Sequence, residues 1–166
     1  MARQYKCISG DGHIDLNPDI WRERVQSKWR ERAPKRVKMP NGSDAVVIDG
    51  GKPNTIGITR SVRVPHAELA KQVPTFETCA GTGGPEQRLA EQDQDGIDCE
   101  ILFSQITFVL RQTKDDDFYK DCIRAYNEFL GEEYMAPATH RLVCMGTLPT
   151  TGVDDAIKEM EHCARL

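Results

Sequence analysis

The sequence predicts an α/β fold built on a parallel sheet, and three observations carry that expectation. Short apolar runs at residues 5–9, 98–103 and 141–148 read as strands. Segments with apolar residues at helical spacing fall between and after them. Strands that alternate with helices pair in parallel through right-handed crossovers. At 166 residues, with 39% hydrophobic and 29% charged content, the chain suits one domain of ordinary size, taken over residues 1–166.

The elements follow in chain order. Residues 5–9 form a short buried strand, and Asp11-Gly12-His13 stands where it runs out. In an extended segment residues i and i+2 share a side, so the Asp11 carboxylate and the His13 imidazole converge with only a glycine between them. An oxygen donor beside a nitrogen donor suits Zn²⁺, Mn²⁺, Co²⁺ or Fe²⁺ and amounts to half a metal site. Asp-Gly is equally a common turn dipeptide. Asn17-Pro18-Asp19 supplies a helix start, and Trp21, Val25 and Trp29 give a helix ending at Ala33 an apolar stripe. The basic residues crowded from Arg22 to Lys38 then form a solvated face of that helix.

From 34 to about 84 the periodicity changes. Two β-prone runs, 45–49 and 54–59, flank Gly50-Gly51-Lys52-Pro53 and read as a hairpin inside an insertion. Gly81-Thr82-Gly83-Gly84 lacks a preceding strand and reads as a loop before a helix rather than a dinucleotide site. His66, in the insertion, has no assigned role. Pro85 opens a helix that runs to Gln94 and that Gly96 closes, and residues 98–103 make a second strand whose Ile101, Leu102 and Phe103 are expected to be buried on both faces. A long helix spans about 116–135 on the stripe Phe118, Cys122, Tyr126, Phe129 and Leu130. A third strand at 141–148 precedes a helix from Val153 that turns Ile157, Met160 and Ala164 inward, leaving Glu159 and His162 on a solvated face. Three strands cannot close a barrel, so the chain is expected to be part of something larger or to associate through its sheet edges.

Composition narrows function. The formal net charge of −4 argues against nucleic acid as the main partner, and no apolar run is long enough to cross a membrane. Residues 1–6 lack the apolar core of a secretory leader, which makes the cytoplasm the expected compartment. Six cysteines without a C-x-x-C pair read as free residues in or near the core.

Four blocks, taken together and in order, resemble a known family. They are residues 10–21 (GDGHIDLNPDIW), 88–98 (RLAEQDQDGID), 124–130 (RAYNEFL), and His140-Arg141-Leu142 with Leu148-Pro149. They are similar to the N-terminal half of the amidohydrolase-related metal-dependent enzymes, in the branch that includes aminocarboxymuconate-semialdehyde decarboxylase. The resemblance implies the N-terminal portion of a (β/α)8 TIM barrel, about three βα units with the insertion at 34–84, whose first strand ends at a metal. It implies a divalent ion, zinc first, held by Asp11 and His13. Asp11 stands where many members carry a histidine, and the remaining ligands would come from later strands, beyond Leu166. The implied chemistry is hydrolysis of a C–N or ester bond of a small organic substrate, or non-oxidative decarboxylation. Ser104, Gln105 and Thr147, at strand ends, are the substrate-binding candidates. A different class of reading is a non-catalytic half-barrel that binds a partner or a second copy through exposed strand edges.

Overall fold

A computed structural model describes residues 4–56 and 64–166. The first strand, β1 (Ile8–Ile14), carries Asp-Gly-His inside it, rather than just beyond its end. The next elements form a small antiparallel sheet of β2 (Lys35–Lys38), β3 (Asp44–Val47) and β4 (Asn54–Thr55) in the order β2-β3-β4. This is the hairpin expected at 45–59, joined by a third strand; its residues 57–59 lie outside the described ones. Then come α1 (Pro85–Asp95), β5 (Cys99–Ser104), the short α2 (Ile106–Leu110), α3 (Asp116–Phe129), β6 (Leu142–Cys144) and α4 (Val153–Cys163).

β1, β5 and β6 form a parallel sheet in the order β1-β5-β6, so each βα unit adds its strand at the same edge. One face of the sheet is covered. Ile14, Leu102 and Leu142 are fully buried there and belong to one apolar cluster with Phe118, Cys122, Tyr126 and Phe129 of α3. The insertion packs into that same cluster through Val46, Ile48, Ile56 and Phe76. The other face is open. Phe103 is 38% exposed and Met145 44%, which corrects the expectation that the second strand is buried on both sides.

Local signals explain several boundaries. Asp115 caps α3, its Oδ1 accepting from the Phe118 amide at 3.1 Å. Gly96 ends α1 in the left-handed region at φ 69°, and the Ile97 amide closes back on the Gln92 carbonyl at 2.9 Å. Past Phe129 the helix widens into a π turn over Leu130–Tyr134, which turns Tyr134 into the core at 0% exposure and explains why α3 ends before the expected 135.

Five expectations fail. Residues 18–33 are not one helix but two 3₁₀ turns, Pro18–Ile20 and Arg22–Arg24, followed by an extended Val25 at ψ 136°. The break lets Trp21 and Val25 bury together while Gln26 reaches Asp121 of α3 with both its amide (2.8 Å) and its side chain (2.5 Å). Nor is the basic stretch a solvated face: Arg24 pairs with Glu132 and Glu133, Arg32 with Asp49 and Asp115, and Arg36 with Glu77. α4 is rotated relative to its apolar stripe. Ile157 and Met160 face outward at 43% and 53% exposure, and Glu159 is the buried residue at 4%. The third strand is also shorter than 141–148, and Cys7 is exposed rather than near the core, while all six cysteines are free.

Candidate metal centre

β1 aims the two expected ligands. Gly12 and Ile14 turn toward the helices and are buried, so Asp11 and His13 turn to the open face. Their side chains come together, His13 Nε2 lying 3.9 Å from Asp11 Oδ1, with exposures of 37% and 84%. The His13 ring is flanked by Phe103, its partner in register on β5, at 6.2 Å between centroids.

The donor set fits a divalent cation in part. A carboxylate oxygen and an imidazole nitrogen 3.9 Å apart are donor types that would suit zinc or another first-row divalent ion. Among the described residues no third His, Cys, Asp or Glu joins them as a metal-holding group. A carboxylate and an imidazole alone are two donors, fewer than the three or four protein ligands that zinc sites take.

The substrate-binding candidates are dispersed. Ser104 aligns with Ile14 on the helix-covered face, is 9% exposed, and approaches the buried Tyr126, so β5 does not bring it to the Asp11–His13 side. Gln105 follows it, its amide donating to the Ile14 carbonyl at 3.2 Å, which ties the end of β5 to the end of β1. Thr147 lies past β6. Asn127 of α3 clamps its backbone from both sides, donating to the Thr147 carbonyl at 2.8 Å and accepting from its amide at 2.9 Å.

That clamp belongs to a network that the sequence reading missed. Glu159 of α4 accepts from Asn127 at 2.8 Å and from the Arg124 guanidinium at 2.6 and 2.9 Å, so it is a buried acceptor rather than part of a solvated face. His162, assigned to the same solvated face, lies 3.2 Å from Glu128. An asparagine at 2% exposure inside an apolar helix face was the available signal, because a buried amide demands partners. Beneath β1 the Arg88 guanidinium forks onto Glu100 at 2.7 and 2.9 Å. A glutamate inside the apolar run Cys99–Ser104 pointed to such a partner. His66 is exposed, and Thr82 in the glycine-rich loop is fully buried, its hydroxyl donating to the carbonyls of Phe76 and Cys79 at 2.8 Å each, a structural role.

No family model matches the sequence. The fold is similar to that of an amidohydrolase from Mycobacterium avium subsp. paratuberculosis K-10, with a TM-score of 0.68 at 16% identity, over 99% of this chain and 47% of that one. The chain thus spans about half the length of that enzyme and shares the fold of that part of it. Among the described residues no helix is long and apolar enough to cross a membrane.

Proposed function

We propose that this chain forms the N-terminal portion of a metal-dependent hydrolase barrel of the (β/α)8 type, in which Asp11 and His13 hold a divalent cation, zinc first and Mn²⁺, Co²⁺ or Fe²⁺ next. The substrate class is a small organic molecule with a C–N or ester bond. The observation that carries the reading is the convergence of one carboxylate and one imidazole on the open face of the first strand, in a fold similar to part of an amidohydrolase. A divalent ion held there supplies Lewis acidity toward a carbonyl or carboxylate and lowers the pKa of water toward neutrality.

The chain's own residues do the rest of what can be assigned. Asp11 is mostly exposed, and among the described residues its ion-pair partner is His13 at 3.9 Å. His13 is braced by Phe103. Gln105 and Thr147 present polar groups at the ends of β5 and β6, where substrate meets a barrel of this kind. The remaining donors belong to later strands, which would cover Phe103 and Met145. The same two ligands serve a carboxy-lyase that orients a carboxylated substrate, and product analysis separates hydrolysis from CO₂ release.

Elemental analysis tests the reading, with the wild type compared with Asp11→Ala and His13→Ala. Each substitution is expected to lower bound zinc at least tenfold, in the range for loss of a metal-site group. Equal metal in all three proteins would refute it. In that event the partner-binding reading gains, since the exposed Ile8, Phe103 and Met145 would then serve association alone.

A further inference from the structure

Gly12 lies between the two proposed ligands in sequence but on the opposite face of β1, and what it faces there is charged. A Cβ at Gly12 would come within 2.9 Å of Leu102 Cδ2, 3.1 Å of Glu100 Oε1 and 3.2 Å of Arg88 Nη2. Those two charged groups are held tightly. Arg88 Nε and Nη2 donate to Glu100 Oε2 and Oε1 at 2.7 and 2.9 Å, and Gln92 Nε2 adds a third bond to Oε2 at 2.8 Å. The Arg88 and Glu100 side chains are only 13% and 11% exposed, and Gln92 also reaches the Arg141 carbonyl at 3.3 Å. A rigid ionic fork from α1 and β5 therefore abuts bare backbone at one residue of β1.

The place of that contact matters because the β1–β5 pairing slips just before it. Ser9 aligns with Glu100 and Gly12 with Leu102, so β1 carries one more residue than β5 across this stretch, at Gly10-Asp11. A slip of one more or one fewer residue would turn Asp11 and His13 together to the helix-covered face, since side chains alternate with period two. We infer that the Arg88–Glu100 pair, seated against the side-chain-free backbone of Gly12, is the positioning device that sets the register of β1 after its bulge and so aims Asp11 and His13 together at the open face. The inference rests on the metal reading for its purpose, though the register itself can be read without metal.

The experiment uses the 166-residue chain and two NMR readouts. Cross-strand NOEs from Gly12 to Leu102 and from His13 to Phe103 report the register, and broadening of the His13 imidazole on adding Mn²⁺ reports cation binding. Gly12→Ala and Glu100→Gln are compared with Gly10→Ala, whose added methyl meets nothing within 4 Å. Gly10→Ala is expected to match the wild type in both readouts. Gly12→Ala and Glu100→Gln are expected to lose the His13–Phe103 NOE and to bind Mn²⁺ about tenfold more weakly or worse, while keeping the dispersed amide spectrum of a folded chain. A folded Gly12→Ala or Glu100→Gln with wild-type register and wild-type Mn²⁺ affinity overturns the inference. Should both fail to fold, Arg88→Lys, which keeps the charge and loses the fork, is judged by the same two results. Absence of broadening in the wild type refutes the metal reading, and the NOEs then decide the register on their own.

Discussion

Asn127 shows what one buried amide can organise. Its side chain is 2% exposed and makes three bonds, two to the backbone of Thr147 and one to Glu159. Asn127→Leu would keep the volume and leave the Thr147 amide and carbonyl and one Glu159 oxygen without that partner. A loss of about 1–3 kcal/mol is expected in denaturant unfolding, the range for stranding buried polar groups. Trp21→Ala should cost more. Its ring is 1% exposed and packs edge-on against Tyr126 at 5.1 Å, so about 3–5 kcal/mol is expected. A Trp21→Ala protein as stable as the wild type would show that this ring is not part of the core. At this scale Asp11 and His13 were legible, because the period of an extended strand places i and i+2 on one side whatever surrounds them. Asn127, Glu100 and Glu159 were not, because their partners come from sequence positions 8 to 35 residues away.

An amphipathic pattern tells which residues of a helix are apolar but not which face meets the neighbour, and α4 separates the two. Glu159 anchors the helix to Arg124 and Asn127 of α3, and that polar seam turns Val153, Ile157 and Met160 outward. Two substitutions follow in opposite directions. Ile157→Gln is expected to change the stability of the isolated chain by no more than about 0.5 kcal/mol, as for an exposed site, whereas Glu159→Leu strands the Asn127 amide and should destabilise by about 1–3 kcal/mol. Thermal or urea melts of the pair check both, and a larger loss for Ile157→Gln would return the apolar face to the interior. The segment at 17–33 failed for a related reason. Its cap was read correctly, Asn17 Oδ1 accepting from the Asp19 amide at 3.1 Å, but the bonds from Gln26 to Asp121 favour an extended Val25 over continued helix. α1 and α3 were legible because their start and stop residues act locally: Pro85, Gly96 and Asp115.

Across the whole molecule, the insertion and the α/β layer are joined by arginine–carboxylate contacts as well as by the shared apolar cluster. Arg32 is the principal one. It donates to Asp49 at 2.6 and 3.0 Å and to the α3 cap Asp115 at 2.8 Å, while its guanidinium lies over the Phe118 ring at 4.5 Å. Hydrogen bonds from Arg32 hold both carboxyls below the usual aspartate range, and Arg36 brings Glu77 down to about 2. A carboxyl whose pKa is depressed by folding stabilises the folded state fully only above its unfolded value, near about 3.9 for aspartate, and that contribution disappears as pH falls through the folded value. Acid should therefore loosen the insertion from α3. The Asp49, Asp115 and Glu77 side chains are 33%, 34% and 58% exposed, enough for solvent to screen each pair, and the effect is read as a difference. Arg32→Met removes the guanidinium that Asp49 and Asp115 share, leaving the Phe118 amide on Asp115 and the Thr113 hydroxyl on Asp49. The gap in melting temperature between wild type and Arg32→Met is expected to be widest near neutral pH and to close as pH falls below about 4 and the aspartates protonate in both proteins. A gap of constant size down to the acid limit would mean that Arg32 acts through its stacking on Phe118 and not through the carboxylates it joins.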